Sequence, residues 1–126
     1  MSADVMPTPA PIPAPMADPM AVPIAGPVYR FEWDSNKERT NIAKHDGVTF
    51  RLASTVLHDP LTITIFDDDH SEREDRWVSI GQAANEQTLV VVHTFLQIDA
   101  QHIEVRLISA RKADKHERRD YETAAR

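Results

Sequence analysis

The sequence predicts a small α+β domain whose elements follow the order β-α-α-β-β-β-β-α. Four apolar segments between residues 61 and 110 are separated by short polar turns, which is typical of an antiparallel meander. Helical patterns occur only before and after these segments, and this segregation favours an α+β class. The segment 29–126 supplies about 98 residues, enough for one modest hydrophobic core.

The first 28 residues differ in composition from the rest of the chain. They contain eight of the nine prolines and no lysine, arginine or aromatic residue. Proline alternating with small residues favours polyproline II and removes the donors that a helix or a ladder needs. We therefore expect a disordered or semi-rigid arm over 1–28, followed by the folded domain over 29–126. The arm lacks the basic start and unbroken apolar core of a secretory signal.

The domain is predicted to begin with a strand and a helix. "VYRFEWD" at 28–34 alternates apolar and polar residues, as a half-buried strand does. Asp34 or Ser35 is then expected to cap a helix that runs to about His45. Gly47 is a suitable terminator because glycine readily adopts the left-handed conformation.

The remaining elements follow from apolar spacing and turn residues. A second helix is predicted from Thr49 to about Leu57, and Asp59 with the following proline stops it. The segment 88–95 is the most apolar strand, so we expect it at the centre of the sheet and expect its His93 to be structural. The other strands and the last helix are predicted at 61–66, 76–81, 102–110 and about 114–121.

The charge of the chain is unevenly distributed. The net charge of −6 by itself argues against a nucleic-acid partner. Residues 59–105 carry ten acids against two arginines, whereas residues 106–119 carry six lysines and arginines against two acids. The first predicted helix is also basic. An acidic protein can thus present a local basic face.

Several classes of protein are excluded or disfavoured by composition. The chain has no cysteine, which excludes disulfides, thiolate catalysis and cysteine-based zinc sites. No stretch approaches the roughly 18–20 apolar residues of a membrane helix. A cytoplasmic setting without a membrane partner is the expectation.

The acidic stretch "DDDHSEREDR" at 67–76 permits three interpretations. It holds six carboxylates but no glycine, so it matches a calcium loop poorly. A divalent metal bound by Asp67, Asp69 and His70 is one hypothesis. A solvated hairpin turn that discourages edge pairing is the second. The third is that the stretch borders a catalytic site.

Two strand arginines require partners because a charge among apolar neighbours is costly to place. If the third strand starts near Glu74, then Glu74 and Arg76 point to one face of it. In the last strand, strict alternation groups Arg106 with Glu104 and Ile108, opposite Ser109. Arg76 and Arg106 then form either surface salt bridges with Glu74 or Glu104, or a phosphate-contacting pair beside a general base.

Four segments together resemble the BrnT family of type II toxins. They are "FEWDSNKERTNIAKHDGVTFRLASTVLHDPL", "DDDHSEREDRWVSIG", "LVVVHT" and "VRLISARKADKHERRDYE". The resemblance covers about Tyr29 to Glu122, in order and without large gaps. It implies a small ribonuclease with a RelE-like fold. It also implies a BrnA-like antitoxin partner with a ribbon-helix-helix part, through which alone the toxin would meet DNA.

Cleavage of RNA by its own 2′-hydroxyl needs few groups and no metal or other cofactor. A base accepts the hydroxyl proton, cations stabilise the charged transition state, and an acid protonates the leaving 5′ oxygen. The expected products end in a 2′,3′-cyclic phosphate and a 5′-hydroxyl. The catalytic candidates in this chain are Glu74 or His70 as base or acid, with Arg76 and Arg106 on the phosphate. The candidates for RNA and phosphate binding are Lys37, Lys44, His45, Arg111 and Tyr121.

Two other functions are weighed against a ribonuclease toxin. One is an inactive relative that still binds antitoxin and co-regulates the operon; it would be indicated by loss of the candidate base and arginines, which this chain retains. The other is a metal-dependent nuclease built on Asp67, Asp69 and His70.

Overall fold

The computed structural model describes residues 27–124, so all but the last two residues of the predicted proline-rich arm lie outside the described part. Six strands and three α-helices follow one another along this part of the chain. The strands are β1 (Val28–Glu32), β2 (Ile63–Phe66), β3 (Trp77–Gln82), β4 (Thr88–His93), β5 (Leu96–Gln97) and β6 (His102–Lys112). The helices are α1 (Ser35–Lys44), α2 (Phe50–Ser54) and α3 (Lys115–Ala124). None of the helices within 27–124 is long and apolar enough to cross a membrane.

The sheet is mostly antiparallel, with the strand order β1-β6-β4-β3-β2. The predicted α+β class is confirmed, and β4 lies at the centre as expected from its apolar sequence. Two features differ from the predicted meander. The first strand joins the far edge of the sheet in parallel with β6, a pairing that local patterns cannot reveal. The two-residue β5, which pairs with β6, is too short to show any period.

The two faces of the sheet carry separate apolar clusters. One face packs against α2 and the 3₁₀ turn that follows it, and it contains the larger cluster. Its central members are Phe50, Val56, Leu89, Val91 and Leu107. The other face is covered in part by α3, where Ile80, Val90, Ala113 and Tyr121 form a smaller cluster. The rest of that second face carries the side chains of Glu104 and Arg106 of β6, which alternate along the strand with Val105 and Leu107 of the larger cluster.

The helix α1 is capped at its start by Asp34, one of the two residues predicted for this role. The side chain of Asp34 accepts hydrogen bonds from the backbone of Asn36 and Lys37. Glu38 does not close a capping box with Ser35; it accepts a hydrogen bond of 2.8 Å from the backbone N–H of Phe50. The Glu38 side chain therefore ties α1 to the start of α2.

The second predicted helix is split in the structure. The α-helix ends at Ser54 and continues as a 3₁₀ turn, Thr55–His58. The Thr55 hydroxyl donates to the Leu52 carbonyl at 2.6 Å and accepts from the backbone N–H of Ala84 at 2.8 Å. A threonine side chain that bonds the preceding turn competes with the backbone ladder, which accounts for the change of helix type.

Asn41 replaces a neighbouring strand at the edge of β6. β1 pairs with β6 as far as Arg106, so the backbone of Ala110 lies beyond its reach. The Asn41 amide, in a residue only 4% exposed, accepts from the Ala110 N–H at 2.9 Å and donates to the Ala110 carbonyl at 2.8 Å. It also donates to the Val48 carbonyl. One side chain thus fixes α1 against the sheet and satisfies buried backbone groups.

A β-bulge in β6 alters which residues share its accessible face. His93 pairs with Leu107 but Val92 pairs with Ser109, so Ile108 is the extra residue. Ser109 therefore lies on the same face as Arg106, and the prediction from strict alternation that placed them on opposite faces is wrong.

We expect Asn41→Ala to destabilise the fold by about 3 kcal/mol, because it leaves buried backbone groups of Ala110 and Val48 without partners. Urea unfolding followed by circular dichroism measures this loss. Asn85→Ala is the matched control, since Asn85 is exposed in a turn and should change stability by about 1 kcal/mol or less. Equal stabilities of the two variants would contradict the role assigned to Asn41.

Candidate active site

The acidic stretch folds as an irregular turn that ends before β3. Asp68–His70 forms a short 3₁₀ turn, and β3 begins at Trp77. The turn is closed by a bond from the Asp67 N–H to the Arg76 carbonyl and by the Ser71 hydroxyl, which accepts from the Arg76 N–H. Glu74 and Arg76 therefore precede the strand, and the prediction that they share a strand face is wrong.

Tertiary contacts nevertheless bring Glu74 together with both predicted arginines. Its carboxylate accepts a hydrogen bond from the Arg106 guanidinium of β6, and the Arg76 guanidinium lies 3.8 Å from the same oxygen. The three side chains are each between 32% and 40% exposed, so they border solvent. We call Glu74, Arg76 and Arg106 the carboxylate–arginine cluster.

The electrostatics of this cluster keep Glu74 ionised. The hydrogen bond from Arg106 lowers the pKa of Glu74 below its ordinary value of 4.5, with further lowering by the charges of Arg106, Arg76 and Lys37. The Nε atom of Arg76 is buried and has no hydrogen-bond partner among residues 27–124. The cluster thus offers an anionic base between two cations, one of which retains an unused donor.

A basic cleft lies between α1 and the bulge of β6. It has a volume of about 310 Å³ and is lined by Asn36, Lys37, Thr40, Asn41, Lys44, His45, Ile108 and Ser109. We call it the α1 cleft. It unites Lys37, Lys44 and His45, which were predicted to face RNA. Within the described part of the chain, none of these three side chains forms an ion pair.

His70 lies on the acidic turn but is not held in the cluster. Its Nδ1 atom is 3.1 Å from the Asp67 carboxylate, and the side chain is 68% exposed. In residues 27–124 it makes no ion pair with Glu74. His70 therefore shares the acidic turn with Glu74 without contacting it, and its imidazole remains exposed to solvent.

The structure places Arg111 in an internal ion pair. Its guanidinium donates two hydrogen bonds, of 2.7 and 2.8 Å, to the carboxylate of Glu117. The same carboxylate accepts from the backbone of Asp114, whose side chain accepts from the backbone of Glu117, so the pair also caps α3. Because the Arg111 guanidinium already donates to both oxygens of Glu117, this contact argues against the prediction that Arg111 binds phosphate.

Tyr121 is also engaged elsewhere. The residue is 8% exposed within the smaller apolar cluster, and its hydroxyl donates to Asp59 at 2.6 Å. Burial, together with this carboxylate, raises the pKa of Tyr121 to about 12. The prediction that Tyr121 binds RNA is inconsistent with a buried ring and a hydroxyl that is bonded to Asp59.

His93 is structural, as predicted. It is fully buried, its Nδ1 donates to the Thr94 carbonyl at 3.1 Å, and its Nε2 accepts from the Ser79 hydroxyl at 2.7 Å. Burial lowers its pKa, so the ring is neutral. In the described residues, no group of three or more histidine and carboxylate side chains is arranged to hold a metal.

Five of the eight residues that line the α1 cleft were missed by the sequence analysis: Asn36, Thr40, Asn41, Ile108 and Ser109. Asn36 and Thr40 are spaced i and i+4 with Lys44, so helical periodicity could have identified them. Ile108 and Ser109 could not be found in this way, because their position depends on the β-bulge.

The fold and the site together define a small α+β protein with an accessible carboxylate–arginine cluster beside a basic cleft. The chain matches the family described as "Ribonuclease toxin, BrnT, of type II toxin-antitoxin system" over residues 33–117. Because the match spans more than half of the chain, the protein belongs to this family. Membership implies an antitoxin partner.

A solved structure of the Brucella abortus ribonuclease toxin BrnT is 24% identical to the chain. The likeness covers 70% of this chain and 100% of that one, with a TM-score of 0.46. No curated protein matches the chain. The family assignment therefore stands on the family match.

The Arg111–Glu117 pair predicts a dependence of stability on pH. Hydrogen bonds from Arg111 lower the pKa of Glu117 from 4.5 to about 2. A carboxylate with a lowered pKa contributes stability above its unfolded pKa and loses it as the pH falls through the folded value. Since the pair is partly exposed, we expect a contribution of about 1 kcal/mol.

Glu117→Gln should therefore be less stable than the parent chain above about pH 5, and the difference should shrink toward zero near pH 2. Urea unfolding at a series of pH values measures this difference. Glu122→Gln is the matched control on the same exposed helix. A difference that does not change with pH would contradict an ionic contribution from Glu117.

Proposed function

We propose that this protein is a metal-independent endoribonuclease toxin of a type II toxin–antitoxin module. The observation that carries the proposal is the Glu74 carboxylate held between the guanidinium groups of Arg106 and Arg76 on an accessible surface. Attack by a ribose 2′-hydroxyl requires a base that takes its proton and cations that bind the phosphate. A carboxylate between two guanidinium groups supplies both. The family description supports the same activity.

In the proposed reaction, Glu74 accepts the proton of the ribose 2′-hydroxyl, and the 2′ oxygen attacks the adjacent phosphorus. Arg106 and Arg76 stabilise the negative charge that develops on the phosphoryl oxygens. The bond to the 5′ oxygen then breaks, and that oxygen takes a proton from an acid. The products end in a 2′,3′-cyclic phosphate and a 5′-hydroxyl. His70 is the candidate acid, as an exposed imidazole on the same turn.

Substrate binding is expected to activate Glu74. In the free protein Arg106 is hydrogen-bonded to Glu74, which weakens this carboxylate as a base. A phosphate that binds the terminal guanidinium nitrogens of Arg106 and Arg76 competes with Glu74 for these donors. Loss of the Arg106 bond raises the pKa of Glu74 toward its ordinary value and strengthens it as a base.

The partner, location and fold label belong to the same proposal. An antitoxin with a ribbon-helix-helix part would neutralise the toxin, and the toxin would contact DNA only through it. Cellular RNA as substrate places the activity in the cytoplasm. The mixed sheet with flanking helices supports our proposal that the fold is RelE-like.

Glu74→Gln should lower the rate of RNA cleavage by about 10²–10⁴-fold, the usual contribution of general acid–base catalysis. Glu72→Gln, two residues away in the same turn and exposed, is the matched control and should keep the parent rate. Cleavage of a defined RNA by purified protein measures both rates, and thermal unfolding verifies the fold. Arg106→Ala should show a loss of similar order, whereas Arg51→Ala on the opposite side should not.

Parent-level cleavage by Glu74→Gln and Arg106→Ala together would reject the assigned site. If the folded parent chain binds its antitoxin but cleaves no RNA, the protein is instead an inactive antitoxin-binding module. Activity that disappears in excess EDTA and returns with a divalent metal would reject metal independence.

The pH profile distinguishes Glu74 from His70 as the base. Because the pKa of Glu74 lies below 4.5, it stays ionised down to that pH, and kcat/KM should not fall between pH 8 and pH 5 on its account. A histidine base would instead lose activity below about pH 6.5. Measurement of kcat/KM across this range separates the two, and a fall with an apparent pKa near 6.5 would contradict Glu74 as base.

A further inference from the structure

The α1 cleft contains polar groups that the proposed reaction does not use. Asn36, Thr40 and Ser109 line it together with Ile108, between Lys37 and Lys44. Its volume of about 310 Å³ is at the lower end of ligand sites, which span roughly 300–1,000 Å³. A cleft of this size accommodates one planar heterocycle rather than a helix or a strand.

The bulge of β6 directs Ser109 toward the candidate chemistry. It places Ser109 on the strand face that carries Arg106, three residues away along β6. The Ser109 hydroxyl has no hydrogen-bond partner among residues 27–124, although it lines the cleft. A bulge next to a catalytic centre commonly redirects a side chain in this manner.

The free groups of the cleft are predominantly donors. The Asn36 side-chain oxygen is occupied by the Arg39 guanidinium, which leaves the amide N–H groups of Asn36 available. The Thr40 hydroxyl donates to the Asn36 carbonyl, so only its acceptor capacity remains. Lys37 and Lys44 add ammonium donors. A donor-rich surface complements a base edge with neighbouring acceptors, as guanine presents at O6 and N7.

The α1 cleft and the carboxylate–arginine cluster are neighbours on one face of the sheet, since Ser109 of the cleft and Arg106 of the cluster share that face three residues apart along β6. Lys37 lines the cleft, and it is close enough to Glu74 for its charge to act on that carboxylate. A base in the cleft would therefore leave its own or the adjacent phosphate beside Arg106 and Arg76. Ile108 provides an apolar contact for the face of the ring.

We propose that the α1 cleft binds a nucleobase next to the cleaved phosphate and selects guanine through Asn36 and Ser109. The proposal rests on the proposed ribonuclease function, because that function identifies RNA as the ligand of the cleft. It assigns specificity to the cleft and leaves the chemical step to Glu74 and the arginines.

The test uses uridine hexamers that contain one central guanosine or adenosine, with every 2′-hydroxyl methylated so that cleavage is blocked. Fluorescence anisotropy at fixed salt measures their affinities for the full chain. The parent protein should bind the guanosine hexamer roughly tenfold more tightly, within the range of one good base contact. Ser109→Ala and Asn36→Ala should each lose most of this preference. Lys44→Ala should weaken both hexamers to a similar extent, because it removes a charge that any phosphate senses.

Ser54→Ala is the matched control, because Ser54 lies on α2 outside the cleft. It should keep the full preference, and thermal unfolding should show that all variants fold. Equal affinities of the parent for the two hexamers, a preference for adenosine, or an unchanged preference in both Ser109→Ala and Asn36→Ala would overturn the proposal. If the preference is present but the parent does not cleave the unmethylated guanosine hexamer or longer RNA, the ribonuclease proposal fails while the base-binding cleft stands.

Discussion

The hydrogen bonds between the Asn41 amide and the backbone of Ala110 are the constraint on which the rest of the site depends. β1 stops short of Ala110, so this part of β6 would otherwise be a buried edge with unpaired groups. The amide supplies one donor and one acceptor, the same pair that a neighbouring strand would offer. Because the amide belongs to α1, the bonds also set the distance between that helix and the sheet, and hence the width of the α1 cleft.

The charges near the cleft are divided between structural and available groups. Arg111 and Tyr121 are used within the fold, the first in the cap of α3 and the second against Asp59. Lys37, Lys44 and His45 keep their charge or donor capacity for a ligand, since no described residue pairs with them. Arg106 and Arg76 are engaged with Glu74 in the free protein, and in the proposed reaction they exchange this carboxylate for a phosphate. A protein with a net charge of −6 can bind an anion here because two lysines line the cleft and two arginines belong to the neighbouring cluster.

Much of the candidate site could be predicted from the sequence, but for a partly incorrect reason. Glu74, Arg76 and Arg106 were selected because charged residues in predicted strands require partners, and the three side chains do meet. The assumed strand face was wrong, since β3 begins only at Trp77. The Arg111 and Tyr121 predictions failed because an isolated sequence does not show that Glu117 and Asp59 are close enough to occupy them. Asn36 and Thr40 could have been found by helical spacing.

The sequence by itself determined the class of fold, the capped helix α1, the central position of β4 and the structural role of His93. These features follow from local periodicity, turn residues and apolar content, which act over a few neighbouring positions. The tertiary structure alone decided the parallel pairing of β1 with β6, the bulge at Ile108 and the contact of Glu74 with Arg106. Each of these joins groups that are 32 or more residues apart or depends on register, and the energy that fixes them comes from packing and hydrogen bonds between elements rather than within one.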